Sequence, residues 1–260
     1  MKSLAFCLLA AAAMIASPVM AANACRAQSP AHRVALLELY TSEGCSSCPP
    51  ADQYVAGLRA SGVTADQAVL LSEHVDYWND IGWKDPYSRA AFTERQRWMS
   101  ELANSRTIYT PEIFMSGKEL RSWASGGVPA AVQRINGQAA QADISIALGA
   151  AGAGGLPVEV RASSARGGKL YVALVQSGVA NQVTAGENRG RLLRHDFVVR
   201  EWLEPVALAS GKEAGKNSAG VTRTFTVPAG AASGQLGISA FVQSEQGEVL
   251  QALALPVCGG

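Results

Sequence analysis

Hydrophobic and polar positions form one pattern in the first half of the chain and another in the second. Dense apolar runs at 34–42 and 68–75 are typical of strands buried on both faces of a sheet. Helical spacing occurs between and after these runs. The predicted order is β-α-β-α-β-β-α, with these elements: strand 34–42, helix 52–60, strand 68–75, a helix from Asp85-Pro86 to about Asn104, hairpin 112–123 and a helix after Gly127. This order predicts an α/β fold with a central mixed sheet and flanking helices over residues 30–141.

The second half has short alternating segments separated by Gly-rich or polar turns, and helical periodicity is nearly absent. The predicted strands are 144–148, 157–162, 169–176, 195–203, 222–227, 236–243 and 249–255. Their even spacing predicts a smaller all-β, sandwich-like domain over residues 142–258.

The N-terminal segment has the composition of a secretory signal peptide. Lys2 precedes an apolar run at 4–15, which is short for a membrane span. Small residues then allow cleavage after Ala21 or after Ala24. We therefore expect residues 1–21 to be removed, an exported chain that is periplasmic or secreted, and no membrane span after cleavage.

Charge and cysteine content narrow the function classes. Lys and Arg total 22 against 21 Asp and Glu, without a long block of one sign, so we expect no nucleic-acid partner. Four cysteines remain after signal cleavage, an even number that suggests disulfides in an exported protein. Three connectivities are possible. If the neighbours Cys45 and Cys48 pair, a structural disulfide joins Cys25 to Cys258.

The most informative motif is Cys45-Ser46-Ser47-Cys48, placed where a buried strand ends and a helix begins. A cysteine at a helix N-terminus has a stabilised thiolate, so Cys45 could be the nucleophile. Cys48 could then attack a mixed disulfide and release the substrate. This chemistry needs no cofactor, and its partners would be protein or small-molecule thiols and disulfides.

Two other features fit the same chemistry. Thr110-Pro111 precedes the hairpin, where a proline could let an extended substrate pair with the backbone of the preceding residue. Glu38 lies in the first strand, seven residues before Cys45, and a buried carboxylate there could assist proton transfer. The catalytic candidates are therefore Cys45, Cys48, Thr110, Pro111 and Glu38.

These motifs resemble known families. LYTSEGCSSC (39–48) resembles the strand and active-site turn of glutaredoxins, and YTPEIFMSGKEL (109–120) resembles their Thr-Pro strand and hairpin. The lysine that glutaredoxins carry two residues after the tyrosine is Ser42 here, which argues against glutathione-dependent activity.

A longer resemblance covers about 34–255. It is carried by ELYTSEGCSSCPPAD, HVDYWNDIGWKDPYSRAAFTERQR, YTPEIFMSG and GENRGRLLRHDFVVR, which resemble the secreted, thioredoxin-like family called domain of unknown function 1223. The resemblance implies a thioredoxin-like domain followed by a β domain, with Cys45 and Cys48 as the redox pair. It implies no particular reaction.

The hypothesis is an exported thiol–disulfide oxidoreductase, and two alternatives stay open. A copper(I) carrier could use Cys45, Cys48 and His74, since copper(I) accepts soft thiolates and imidazole. A redox-inactive adaptor is the other. The loop after the second strand could form a substrate rim from His74, Asp76, Tyr77 and Trp78.

The GENRG string at 186–190 and the following His195 also belong to the resemblance. Asn188 and Gly190 are predicted to set a tight turn with solvated charges around it. The open alternative is that these residues face the cysteine motif.

Overall fold

A computed structural model describes residues 25–210 and 216–258. The signal peptide predicted at 1–21 lies outside this part of the chain. The α-helices of the described residues are α1 (Pro49–Gly57), α2 (Ala90–Leu102) and α3 (Gly127–Asn136). The strands are β1 (Cys25–Gln28), β2 (Ala35–Thr41), β3 (Ala68–His74), β4 (Glu112–Met115), β5 (Lys118–Glu119), β6 (Asp143–Leu148), β7 (Leu156–Ser164), β8 (Lys169–Gln176), β9 (Val179–Gln182), β10 (Leu192–His195), β11 (Val198–Trp202), β12 (Val206–Ala207), β13 (Ala209–Ser210), β14 (Asn217–Phe225), β15 (Leu236–Gln243) and β16 (Val249–Pro256).

The central element is a nine-stranded sheet that combines strands from both halves of the sequence. Its order is β16-β15-β8-β11-β3-β2-β4-β5, with β12 also paired to β8. Strand β2 runs parallel to β3, and β11 joins the other edge of β3 in parallel at Val198 and Ser72. The strands of the second half thus extend the sheet that begins in the first half.

The α/β fold with flanking helices, predicted from the first half and from the thioredoxin resemblance, is wrong. The described part of the chain is mostly β, with 40% strand, 17% helix and several sheets, which is inconsistent with that layered arrangement. The physical reason is that β8, β11, β15 and β16 pair onto the β3 side of the sheet, a long-range arrangement that local periodicity does not encode. The division at 141/142 stays a prediction, and both ranges contribute strands to one sheet.

The described residues also form two further sheets. A five-stranded sheet has the order β1-β6-β7-β14-β13, and β9 and β10 form a two-stranded hairpin. Apolar side chains of β6, β7 and β14 pack against those of β8, β15 and β16 in one large core cluster. Burial of this apolar surface is the main force that holds the two larger sheets together.

The part of the nine-stranded sheet that carries the cysteine motif is covered on both faces. On one face, Leu37 and Leu39 of β2 pack against helices α1 and α3. On the other face, Leu36 of β2 packs near Phe92 of α2. Every residue of β2 is buried, as its dense apolar run predicts. Alternate residues of β2 therefore reach two different chemical environments.

Two local predictions need correction. Helix α2 does not begin at Asp85-Pro86 but at Ala90, after Arg89 at the N-cap position. The strand predicted at 195–203 is interrupted, because Phe197 has φ 58° between β10 and β11. A left-handed backbone at a bulky residue ends one strand and redirects the next.

Candidate functional site

The cysteine motif forms a short turn between β2 and α1, closed by a disulfide. Cys45 and Cys48 are bonded with their Cα atoms 5.5 Å apart, and Cys48 is the N-cap residue of α1. Both cysteines are fully buried, whereas Ser46 and Ser47 between them are exposed. The turn therefore presents its serines to solvent and holds its sulfur atoms just beneath.

Thr110 and Pro111 lie against this turn, at the start of β4. They are joined by a cis peptide bond. The Sγ of Cys45 lies 3.8 Å from the carbonyl oxygen of Thr110 and 3.3 Å from the Oγ of Ser47. The indole Nε1 of Trp78 donates a hydrogen bond of 2.8 Å to the Oγ1 of Thr110. The structure thus brings together four predicted site residues: Cys45, Cys48, Thr110 and Pro111.

The GENRG segment contacts the cysteine turn from the far half of the sequence. The Nδ2 of Asn188 donates to the carbonyl oxygens of Glu43 and Cys45, at 2.8 and 2.9 Å. The carboxylate of Glu187 accepts a 2.9 Å bond from the backbone N–H of Ser46. Arg191 donates to the Oδ1 of Asn188 and fixes the amide orientation. The open alternative of the sequence, that this segment faces the cysteines, is what the structure shows.

Beneath the turn, on the α1 face of the sheet, lies a buried imidazole–carboxylate cluster formed by Glu43, Asp52, His74, Asp85 and His195. Glu43 connects most of it: its backbone N–H donates to the Oδ2 of Asp85 at 2.8 Å, and its Oε1 lies 3.2 Å from the Nε2 of His195. Its Oε2 accepts bonds from the indole of Trp83 and the amide of Asn181. Glu43 carried no separate signal in the sequence beyond its place in the LYTSEGCSSC string.

The two histidines of this cluster contact different carboxylates. The Nδ1 of His74 lies 2.7 Å from the Oδ2 of Asp85. Burial lowers the pKa of His74, but the charge of Asp85 and its hydrogen bond outweigh burial and raise the pKa. Burial likewise opposes ionisation of Asp85, yet His74 holds the Asp85 pKa below its usual range. The pair is therefore stabilised as an imidazolium and a carboxylate.

His195 lies between Glu43 and helix α1. Its Nδ1 is 3.8 Å from the Oδ2 of Asp52, and its ring centroid is 4.9 Å from that of His74. Burial raises the pKa of Asp52, against the opposing charge of His195. Asp52 thus holds a proton more readily than an exposed aspartate does.

Glu38 is not near the cysteine turn. It lies on the opposite face of β2, where its Oε1 is 2.5 Å from the Nε of Arg95 on α2. Glu73 and Tyr40 share that face, and burial together with the charge of Glu38 raises the pKa of Glu73 well above its usual value. The expected role of Glu38 in proton transfer to a cysteine has no basis in this arrangement, because the sheet separates it from α1.

The four residues predicted to form a substrate rim lie in different environments, and their role in substrate binding stays a prediction. His74 is fully buried and belongs to the imidazole–carboxylate cluster. Asp76 accepts a bond from the hydroxyl of Thr93 on α2, and burial raises the pKa of half-buried Tyr77 to about 12. Trp78 reaches the site through its hydrogen bond to Thr110, and the side chain of Tyr77 also interacts with that of Thr110.

Metal binding and membrane insertion receive no positive support in the described ranges. No three His, Cys, Asp or Glu side chains in 25–210 and 216–258 are placed to hold a metal ion, and the copper(I) alternative stays a prediction. None of the helices in the same ranges has the length and apolar character needed to cross a membrane. The other disulfide joins Cys25 to Cys258, as expected, with a Cα–Cα distance of 5.8 Å. Two disulfides fit an oxidising, exported environment.

Fold and site together define a β-rich protein whose four-residue cysteine turn is closed by a disulfide and bounded by two distant segments. The model of the family described as "Protein of unknown function (DUF1223)" matches residues 36–243, and the chain belongs to that family. No curated protein matches the sequence.

Two solved structures share the fold. A crystal structure of a protein from Agrobacterium tumefaciens matches with 22% identity and a TM-score of 0.59, covering 88% of this chain and 96% of that one. HBP35 of Porphyromonas gingivalis matches with 15% identity and a TM-score of 0.62, covering 88% of this chain and 76% of that one. At these identities the likeness concerns the fold alone.

Proposed function

We propose that this protein is an exported thiol–disulfide oxidoreductase, periplasmic or secreted, that uses Cys45 and Cys48. One observation carries the proposal: a C-x-x-C disulfide lies at the start of α1, beside the backbone of Thr110 and beneath two exposed serines. A cysteine at a helix N-terminus is the placement that favours a reactive thiolate. The Cys25–Cys258 disulfide, by contrast, is structural and takes no part in the exchange.

The chemistry needs only the two cysteines and a thiol substrate. A substrate thiolate attacks the Sγ of Cys45, the Cys45–Cys48 bond breaks, and Cys48 leaves as a thiolate. A second substrate thiolate then attacks the substrate sulfur of the mixed disulfide and releases Cys45. Two electrons pass from two substrate thiols to the cysteine pair, and the two cysteine thiolates take up protons. The reverse sequence reduces a substrate disulfide.

Substrate contact would involve the edge formed by Thr110. Its carbonyl oxygen lies beside Cys45, and an extended peptide could pair with the backbone at this position. Because Cys45 has no exposed surface in the disulfide form, attack requires displacement of a covering group. The polar groups that lie beside its Sγ are the Oγ of Ser47 and the carbonyl oxygen of Thr110, and the Asn188 amide holds the Cys45 carbonyl in the turn.

The test is a redox titration of the purified protein in glutathione buffers, followed by alkylation, peptide mapping and mass determination. We expect Cys45 and Cys48 to titrate reversibly between roughly −270 and −120 mV, the range of known oxidoreductases. Cys25 and Cys258 should stay bonded throughout. A Cys25→Ser/Cys258→Ser variant is the matched control, and its Cys45–Cys48 titration should be unchanged.

Three results would overturn the proposal. A pair that stays oxidised below about −300 mV behaves as a structural disulfide. A pair that is reduced but resists alkylation until a chelator is added behaves as a metal site. Wild-type function in a Cys45→Ser variant would instead support the adaptor alternative.

A further inference from the structure

Two buried imidazole nitrogens on the α1 face of the sheet have no hydrogen-bond partner among the described residues: the Nε2 of His74 and the Nδ1 of His195. Buried polar atoms are normally satisfied, and an unpartnered one calls for an explanation. The carboxyl of Asp52 and the hydroxyl of Thr41, which interact with each other, belong to the same group of neighbouring side chains beneath the disulfide.

Asp52 is the member of this group nearest to Cys48 along the chain. It lies four residues after Cys48, and its backbone N–H donates to the Cys48 carbonyl at 3.1 Å. Residues four apart lie on the same face of a helix, so both side chains point from α1 into the protein. Cys48 is fully buried, which leaves water no direct access to its sulfur.

We propose that Asp52, supported by His195, is the proton acceptor for the Cys48 thiol when that thiol closes the disulfide. This inference rests on the proposed function and assigns a further catalytic residue to it. His195 is a positioning residue, since its Nδ1 faces the Oδ2 of Asp52 at 3.8 Å while its Nε2 is held by Glu43.

The step balances as follows. Cys45 begins in a mixed disulfide with a substrate sulfur, and Cys48 carries a thiol proton. The proton passes to the Asp52 carboxylate, and the sulfur electron pair of Cys48 forms the bond to the Sγ of Cys45. The bond between Cys45 and the substrate sulfur breaks, and the substrate leaves as a thiolate. In the reverse direction, protonated Asp52 returns its proton to Cys48.

The surroundings of Asp52 suit this exchange. The charged and titratable groups that act on it are His195 from β10, His74 from β3 and Asp85 from the loop before α2, and Thr41 of β2 is a polar neighbour. Burial raises the Asp52 pKa, which brings its proton exchange closer to neutral pH, while the histidines keep the carboxylate form accessible.

The experiment is a stopped-flow reaction of reduced protein with 5,5′-dithiobis(2-nitrobenzoate), after mass determination shows that Cys25–Cys258 is still bonded. The first equivalent of thionitrobenzoate reports attack by Cys45, and the second reports closure by Cys48. For Asp52→Asn we expect the second phase alone to slow by about 10²-fold near pH 6.5. The difference in second-phase rate between Asp52→Asn and the wild type should vanish at about pH 9 to 10, where a cysteine thiol ionises without a proton acceptor.

Controls separate this role from a structural one. Glu94→Gln removes one exposed carboxylate on α2 and should leave both phases unchanged. His195→Gln, which keeps a polar side chain, should slow the second phase less than Asp52→Asn and with the same recovery at high pH. It also serves as the second variant if Asp52→Asn does not fold.

The outcomes distinguish the two proposals. A wild-type protein without a concentration-independent second phase has no resolving cysteine, and the proposed function itself fails. A wild-type protein that closes, with an Asp52→Asn profile that is unchanged or slowed equally at every pH, overturns the role of Asp52 and leaves the redox function intact.

Discussion

The side-chain amide of Asn188 donates to the carbonyl oxygen of Cys45, although 143 residues separate them. Asn188→Ala would leave this carbonyl and that of Glu43 without their partner. We expect the free energy of unfolding to fall by about 2–4 kcal/mol, since each unsatisfied buried group costs about 1–3 kcal/mol. Reduction of Cys45–Cys48 by dithiothreitol should also become faster. Thermal melting and thiol trapping measure both effects, and Arg189→Ala, an exposed change in the same loop, should alter neither.

Glu187 places a negative charge on the cysteine turn. Its carboxylate accepts the Ser46 N–H, which is therefore not free to stabilise a Cys45 thiolate. The hydrogen bonds from Ser46 hold the pKa of Glu187 below its usual range. For Glu187→Gln in the reduced protein, we expect alkylation of Cys45 at pH 6 to accelerate by about twofold to fivefold. The difference should shrink in 1 M salt, where the screening length is about 3 Å. An equal difference at high salt would contradict an electrostatic cause.

Arg95 neutralises Glu38 inside the protein and lies over the rings of Tyr171 and Phe241, at 4.8 and 5.1 Å from their centroids. Arg95→Met leaves a buried carboxylate without its partner. We expect a loss of about 3–5 kcal/mol in stability, measured by urea denaturation. Adding Glu38→Gln to Arg95→Met should recover most of the lost stability. Neither change should slow disulfide closure by Cys48, because both residues lie on the far face of the sheet.

Glu112, next to Pro111, predicts a pH dependence of stability. Burial raises its pKa to about 7, against the opposing hydrogen bond from Gln96. The folded state therefore binds more protons than the unfolded state between the ordinary glutamate pKa and about 7. Stability from this group is present at low pH and is lost as pH rises through that interval. In Glu112→Gln the fall in unfolding free energy between pH 5 and pH 8 should be smaller by about 1–2 kcal/mol, after allowance for solvent screening. Glu94→Gln, an exposed change, should show the wild-type slope.

The Cys25–Cys258 disulfide closes a very long loop, with a sequence separation of 233. Cys25→Ala/Cys258→Ala should lower the free energy of unfolding by about 2–5 kcal/mol, mainly through greater freedom of the unfolded chain. Urea denaturation measures the loss. The midpoint potential in the redox titration of Cys45 and Cys48 should not change. A shifted titration would mean that the two disulfides are coupled.

Local patterns predicted the elements around the site well. The dense apolar runs became β2 and β3, and the C-x-x-C spacing predicted the disulfide at the start of α1. Asp85 shows where local chemistry misleads. Its place before a proline is typical of a helix start, and its Oδ1 accepts the backbone N–H of Tyr87, but α2 begins only at Ala90. Its Oδ2 contacts His74 and the backbone N–H of Glu43.

The larger errors concern contacts between distant segments. The parallel pairing of β11 with β3 joins Val198 to Ser72, and no local periodicity encodes it. Local periodicity also does not encode the contacts of Asn188 with Cys45 and of His195 with Glu43. Both contacts depend on how the strands of the second half pair with those of the first. Glu38 was predicted to assist proton transfer because it lies seven residues before Cys45 along the chain. Strand alternation instead places its side chain on the face of β2 opposite to α1.

The bond between Cys25 and Cys258 makes the chain a covalent ring through these residues. A single peptide-bond cleavage inside the ring therefore releases no fragment, because both pieces stay attached through the sulfur atoms. A nicked molecule gains only the water that hydrolysis adds, and it keeps all its strands until a second cut or a reductant separates the pieces. In an environment rich in proteases, one cut thus leaves the β11 and β3 segments tethered and able to stay paired.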